Sequence, residues 1–178
     1  MNLWGDGPPA AVAELGQTSG ADVGRYVEAV HAFAEAGAGA VKIQMLDPEA
    51  LASPAAVPYW STTRYAETQV ESFAKAGCVP HDGWGRVREA CEQAGIGFIA
   101  TPFDLEALGP LFDLAPDAVK IASGDITWRR LIERCADDFD RLIISTGAAT
   151  LAEVASAIRW SVSAPYVCLL ACSLQYPT

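Results

Sequence analysis

The sequence predicts an α/β fold, a TIM-type (β/α) barrel with about six of its eight strand–helix units present, and three observations lead there. Short β-branched runs alternate with amphipathic helical patterns at intervals of a few tens of residues, as in a parallel sheet covered by helices. Polar residues gather at the C-terminal ends of successive runs: Glu14, Lys42 with Gln44, Thr101, Lys120 with Ser123, Ser145 with Thr146, and Gln175 with Tyr176. A barrel brings those ends to one mouth, whereas an open doubly wound sheet would carry the outer ones apart. The third observation is the scarcity of lysine. The chain has three lysines against nine arginines, yet two of the three stand at the same point of near-identical runs, Ala40-Val41-Lys42-Ile43 and Ala118-Val119-Lys120-Ile121.

Each element has its own signal. Residues 10–15 form a first apolar strand ending in Glu14-Leu15-Gly16, and Tyr26, Val27, Val30, Phe33 and Ala34 give helical spacing over 22–36. Gly37 and Gly39 stop that helix, and residues 40–44 are the second strand. Residues 45–81 are irregular and proline-rich, with one helix over 68–76. A helix over 84–94, a strand over 97–101 and a helix over 105–114 capped by Asp104 come next. They are followed by a strand over 118–122, a helix around 131–136 and a strand over 141–145. Thr150 and Glu153 have capping-box spacing for a helix reaching about residue 161, and 166–171 is the sixth strand.

Composition narrows the function classes. The chain of 178 residues is 51% hydrophobic and 19% charged, which is globular, and has room for one well-buried domain. A net charge of −10 argues against nucleic acid as a partner, because that binding needs clustered cations. The first nine residues have no basic region and no long apolar core, and no apolar run is long enough to span a bilayer, so a cytoplasmic protein is expected. Five cysteines, odd in number and without a CxxC pair, read as reduced thiols. An anionic substrate would be repelled by the overall field, so its site must be built locally from lysines, hydroxyls and backbone N–H groups. A lysine set twice into a buried strand serves that purpose, since burying an unpaired charge is costly; snorkelling out of the barrel end is the structural alternative.

Six segments in order carry a more specific signal. They are Ala13-Glu14-Leu15-Gly16, Val41-Lys42-Ile43-Gln44, Thr101-Pro102-Phe103-Asp104, Val119-Lys120-Ile121-Ala122-Ser123-Gly124-Asp125, Ile144-Ser145-Thr146-Gly147-Ala148-Ala149-Thr150 and Cys172-Ser173-Leu174-Gln175-Tyr176-Pro177-Thr178. This series resembles the barrel domain of the N-acetylneuraminate (sialic acid) synthase family, with its legionaminate and pseudaminate relatives. The resemblance implies a transferase of carbohydrate biosynthesis. Phosphoenolpyruvate would condense with an N-acylated hexose such as N-acetylmannosamine, giving a nine-carbon 3-deoxy-2-keto acid and phosphate, with Mn2+ or Mg2+ activating the sugar aldehyde. It further implies that Lys42 and Lys120 grip phosphoenolpyruvate and that Thr101, Ser123 and Ser145 donate hydroxyls to it. The Ser123-Gly124 and Thr146-Gly147 turns would let backbone N–H groups approach the anion. Tyr176 would line the site between the substrates, and Glu14 and Gln44 would bind the sugar acceptor, with Glu14 a candidate for proton handling.

The sequence also departs from that pattern. Gln17-Thr18-Ser19-Gly20 stands where the family usually has Asn-His followed by Gly, Ala171 stands where a His precedes Cys172, and Leu174 replaces a small polar residue. The metal histidines of the family lie on later strands, and neither His31 nor His81 has metal-ligand spacing to a partner, so no metal ligand is expected from this sequence. The family's C-terminal antifreeze-like domain is expected to be absent from residues 1–178. A whole barrel needs about 250 residues, so a fragment of a longer product, a homo-oligomer or a complementing polypeptide is expected. Two other functions remain open at this level: a non-catalytic half barrel that binds a ligand or a synthase subunit, and an aldolase using Lys42 or Lys120 as a Schiff-base nucleophile. Each residue has a structural alternative as well. Thr101, Ser123 and Ser145 serve equally as turn formers or caps, Glu14 as a partner for a lysine across the barrel, Tyr176 as rim packing, and Arg129 and Arg130 as solvated surface.

Overall fold

The computed structural model describes residues 10–16, 20–58 and 68–173. Among them six strands form one sheet: β1 (Val12–Leu15), β2 (Ala40–Met45), β3 (Gly97–Pro102), β4 (Ala118–Ile121), β5 (Arg141–Ser145) and β6 (Tyr166–Leu170). Seven α-helices accompany them: α1 (Val23–Glu35), α2 (Pro48–Leu51), α3 (Gln69–Ala76), α4 (Gly85–Ala94), α5 (Leu108–Leu114), α6 (Arg129–Asp138) and α7 (Leu151–Trp160). All neighbouring strands are parallel and the spatial order is the chain order, β1 to β6. Strictly sequential order is the barrel pattern; a doubly wound sheet reverses direction at a switch point.

Side chains alternate across each strand, and the alternation divides the molecule into two layers. Facing the helices are Val41, Ile43 and Met45 of β2, Phe98 and Ala100 of β3, Val119 and Ile121 of β4, and Leu142 and Ile144 of β5, all in one continuous core. That core takes in the inner stripe of each covering helix, such as Tyr26 and Val30 of α1, Val87 and Cys91 of α4, and Leu131, Ile132 and Cys135 of α6. Tyr26 meets Trp84 edge-to-face at 5.1 Å and 75°, locking α1 to the start of α4. The opposite face has a small apolar cluster of its own, Ala40, Ile99 and Ala118, with Ile143 packed against it.

Local chemistry sets the helix ends. Asp22 accepts from the N–H groups of Gly24 and Arg25 to open α1, and Thr68–Glu71 and Thr150–Glu153 form capping boxes for α3 and α7. Most element boundaries shift from the sequence expectation by one or two residues, and the largest shift is at the start of α5. Asp104 Oδ1 accepts from Ala107 N–H at 2.7 Å, capping a turn, and α5 starts only at Leu108. The segment read as irregular holds the extra short helix α2, opened by Asp47 with Pro48 at its first position. Arg129 lies at the start of α6 and pairs with Glu133 in solvent, as surface. Within the described residues β1 and β6 each pair on one side only, and β6 exposes Tyr166, Val167, Leu169 and Leu170. No helix among the described residues is long and apolar enough to cross a membrane.

Candidate active site

The register of the sheet decides which polar side chains share a surface. Glu14 of β1 lies opposite Lys42 of β2, and Gln44 lies opposite Thr101 of β3. Ala100 pairs with Val119, so the next residues along, Thr101 and Lys120, are level, and Lys120 in turn pairs with Ile143. In a parallel sheet paired residues project to the same side. Glu14, Lys42, Gln44, Thr101, Lys120 and Ser145 therefore all lie on the face opposite the helices, toward the C-terminal ends of their strands.

Lys42 is the centre of this group and only 6% exposed. Its Nζ lies 2.8 Å from Glu14 Oε1 and donates to Thr101 Oγ1 at 3.3 Å. Burial lowers its pKa, and the ion pair and hydrogen bond with Glu14 oppose that shift. Lys120 is also lowered, first by burial and then by the charge of Lys42, against the attraction of Glu14, Cys172 and Asp125. Two lysines, one depressed by the charge of the other, hold a local positive field in a chain of net charge −10. An anion entering between them would relieve that repulsion.

Two turns complete the mouth. After β4 the chain makes a single 3-10 turn, Ser123–Asp125, and after β5 it turns through Thr146 and Gly147. Gly147 N–H donates to Ser123 Oγ at 3.1 Å, joining the two turns. A Cβ at position 147 would stand 2.9 Å from Ser123 Oγ, so this close approach needs glycine. Ala148 follows in the left-handed region at φ 59°, a conformation that costs a non-glycine residue about 1 kcal/mol. Ser145 is 3% exposed. Thr146 N–H and Oγ1 both donate to Leu170 O, fastening this turn to the end of β6.

The NeuB family model matches residues 29–178. The chain belongs to the NeuB family. It is 31% identical over 176 residues to the pseudaminic acid synthase of Helicobacter pylori, covering 96% of this chain and 52% of that protein. To the N,N'-diacetyllegionaminic acid synthase of Legionella pneumophila it is 30% identical over 174 residues, covering 93% of this chain and 49% of the other. The crystal structure of the N-acetylneuraminic acid synthetase of Leptospira borgpetersenii superposes with a TM-score of 0.81 at 28% identity, covering 98% of this chain and 57% of that one. The chain thus spans about half the length of the curated relatives it matches.

In this NeuB-family chain the structure draws together Glu14, Lys42, Thr101 and Lys120, places Gln44 level with Thr101, and ties Ser123 to the turn after Ser145. Tyr176 and the departures at residues 17–19 and at Leu174 lie outside the described residues. The N–H of Gly147 is engaged by Ser123, while Gly124 has open space around it. Among the described residues no three His, Cys, Asp or Glu side chains converge to hold a metal ion.

Sequence reasoning missed three groups. His81 Nε2 lies 3.2 Å from Asp104 Oδ2, both side chains largely buried, joining the segment before α4 to the end of β3. Cys172, just past β6, bears on Lys120, and its Cβ would lie 3.4 Å from a Cβ at Gly147. Asp125, quoted within a motif but given no role, has a buried Oδ2 with no hydrogen-bond partner. Spacing gives no signal for the first two, whose partners are far apart in the chain. Asp125 had one: an acid five residues after a strand lysine, across a tight Ser-Gly turn.

Proposed function

We propose that the mouth formed by β1 to β5 binds phosphoenolpyruvate. In this reading the complete protein condenses it with an N-acylated hexose to give a nonulosonic acid and phosphate. The observation that carries the reading is the pair of lysines on one face of the sheet, Lys42 buried and held by Glu14 and Thr101, and Lys120 partly buried, its pKa lowered by burial and then by Lys42. Names of the relatives supply the reaction class, since those proteins are called pseudaminic and legionaminic acid synthases.

Each residue has a part in this proposal. Lys42 and Lys120 neutralise the phosphate and carboxylate, and Thr101 and Ser145, both buried, add hydroxyl donors together with Ser123. Glu14, half exposed above Lys42, gives up its hold as the anion arrives and is then free to handle a proton at the sugar acceptor. Gln44, beside Thr101, contributes amide hydrogen bonds to that acceptor, and Tyr176 would have its part between the two substrates. A divalent metal, Mn2+ or Mg2+, belongs to the proposed reaction and would polarise the acceptor aldehyde. The six strands are read as six units of a (β/α) barrel.

The experiment is calorimetric titration of phosphoenolpyruvate into wild type and Lys120→Ala. Loss of detectable binding in the variant, with an unchanged circular dichroism spectrum, is expected. Unchanged affinity would overturn the role of that lysine. Borohydride treatment in the presence of pyruvate separates the aldolase alternative, because an adduct on Lys42 or Lys120 would contradict the proposal.

A further inference from the structure

Asp125 ends the 3-10 turn that follows β4, two residues after Ser123 and at the same end of the strand as Lys120. Its backbone is held firmly, the N–H donating to Ala122 O at 3.0 Å and the carbonyl accepting from Trp128 N–H at 2.8 Å. Its carboxylate is not held in this way. Oδ2 is buried and has no hydrogen-bond partner, although buried carboxylate oxygens are nearly always paired. The charged group that bears on Asp125 is Lys120 of β4; around Lys120 stand Lys42 of β2, Glu14 of β1 and Cys172 beyond β6.

We propose that Asp125 is the proton-accepting residue of the anion site, taking a proton from solvent onto its carboxylate as an oxyanion binds beside Lys120. The argument is electrostatic. Before an anion arrives Glu14 is paired with Lys42 at 2.8 Å, whereas Asp125, on which the charge of Lys120 bears, has a buried Oδ2 with no hydrogen bond to fix its charge. An incoming phosphate or carboxylate takes over the positive field of Lys120 and sets a like charge near Asp125. Both changes favour the neutral acid. Neutral Asp125 carries an O–H that can donate to the bound anion, where the ionised form could only repel it. Burial has already brought this carboxyl up to about 6, against the pull of Lys120, so it changes state near neutral pH. A tenfold strengthening of its hold on the proton would have it take up about 0.4 of a proton at pH 7.

The inference rests on the anion-binding reading above. The test is isothermal calorimetry of the full chain at pH 7 in buffers of different ionisation enthalpy, with phosphoenolpyruvate and with sulfate, which does not itself titrate there. Wild type should take up protons with both ligands. Asp125→Asn should bind sulfate with the uptake reduced by about 0.4 of a proton, and Asp125→Glu should restore it. Equal uptake by wild type and Asp125→Asn, with binding intact, would overturn the proposal and leave the anion site standing. Absence of binding of either ligand to wild type would overturn both. Should Asp125→Asn fail to fold, carbon-13 titration of the Asp125 carboxyl in wild type answers the same question. Its midpoint should rise when sulfate is added, and an unmoved midpoint would refute the role.

Discussion

One step along each strand separates two different materials. On the side facing the helices, Val41, Ile43, Phe98, Val119, Ile121, Leu142 and Ile144 are fully buried and apolar. On the other side, Glu14, Lys42, Gln44, Thr101 and Lys120 stand above a small cluster of Ala40, Ile99, Ala118 and Ile143. The first face gains from every methylene removed from water. The second bears the cost of two desolvated lysines with pKa values lowered by burial. Strand alternation lets one sheet do both, so stability and chemistry should respond separately to substitution.

The largest expected effect is on the helix-facing side. Leu142→Ala, at a fully buried position of β5, should destabilise the fold by about 3 kcal/mol. Chemical denaturation checks this, and the affinity of the folded fraction for phosphoenolpyruvate should change by less than about twofold, as expected for distant independent sites. A parallel loss of affinity would break the division between the faces.

Lys42→Met reverses the pattern. Removing one partner leaves Glu14 unpaired, but its half-exposed carboxylate keeps its water, so the stability cost should stay below that of Leu142→Ala, while phosphoenolpyruvate binding should fall below detection. The pH profile has a definite sign. Lys42 is lowered from 10.5 in the fold, so between its folded value and 10.5 the unfolded chain holds a proton the folded chain has released. The contribution of Lys42 to stability therefore rises with pH across that window, and the stability profile of Lys42→Met should lack that rise relative to wild type. Denaturation curves collected from pH 7 to 10.5 decide it; an unchanged slope would mean that burial is not what governs this lysine.

These two faces were legible in the sequence to different degrees. Runs such as Ala40-Val41-Lys42-Ile43 announce both the strand and the intrusion of a cation, because period-two alternation and burial are local properties. The convergence of Lys42 with Thr101, 59 residues apart, followed only from assuming a barrel. Pairings without a repeating pattern were not legible. His81 with Asp104 and Gly147 with Ser123 depend on how loops fold back, which neither propensity nor spacing encodes. Asp104 shows the limit of local rules: an acid before an apolar run reads as a helix cap, yet its side chain closes the turn to Ala107 and the helix waits until Leu108.

Glu14→Gln sharpens the comparison within the polar face itself. Glu14 opposes the lowering of the Lys42 pKa, so its amide replacement should let that value drop further. Anion binding that needs protonated Lys42 would then fail at a lower pH than in wild type. Affinities for sulfate measured from pH 6 to 10 show this as a displaced alkaline limb. A limb at the wild-type position would mean that the 2.8 Å contact has no hold on the lysine's charge.

The smallest effect asked of the molecule concerns the hinge between its two materials. Thr150 opens α7, its Oγ1 accepting from Glu153 N–H at 3.3 Å while its own N–H donates to Glu153 Oε2 at 2.7 Å. It comes three residues after Gly147, whose N–H reaches Ser123 in the mouth. Thr150→Ala removes one side of the capping box and should cost about 1 kcal/mol by thermal or chemical denaturation. Anion affinity should hold within about twofold, because Thr146 is fastened independently to Leu170 by two hydrogen bonds. If affinity falls with stability instead, the start of α7 and the turn at Gly147 act as one unit, and the helix-facing layer then positions the site as well as supporting it.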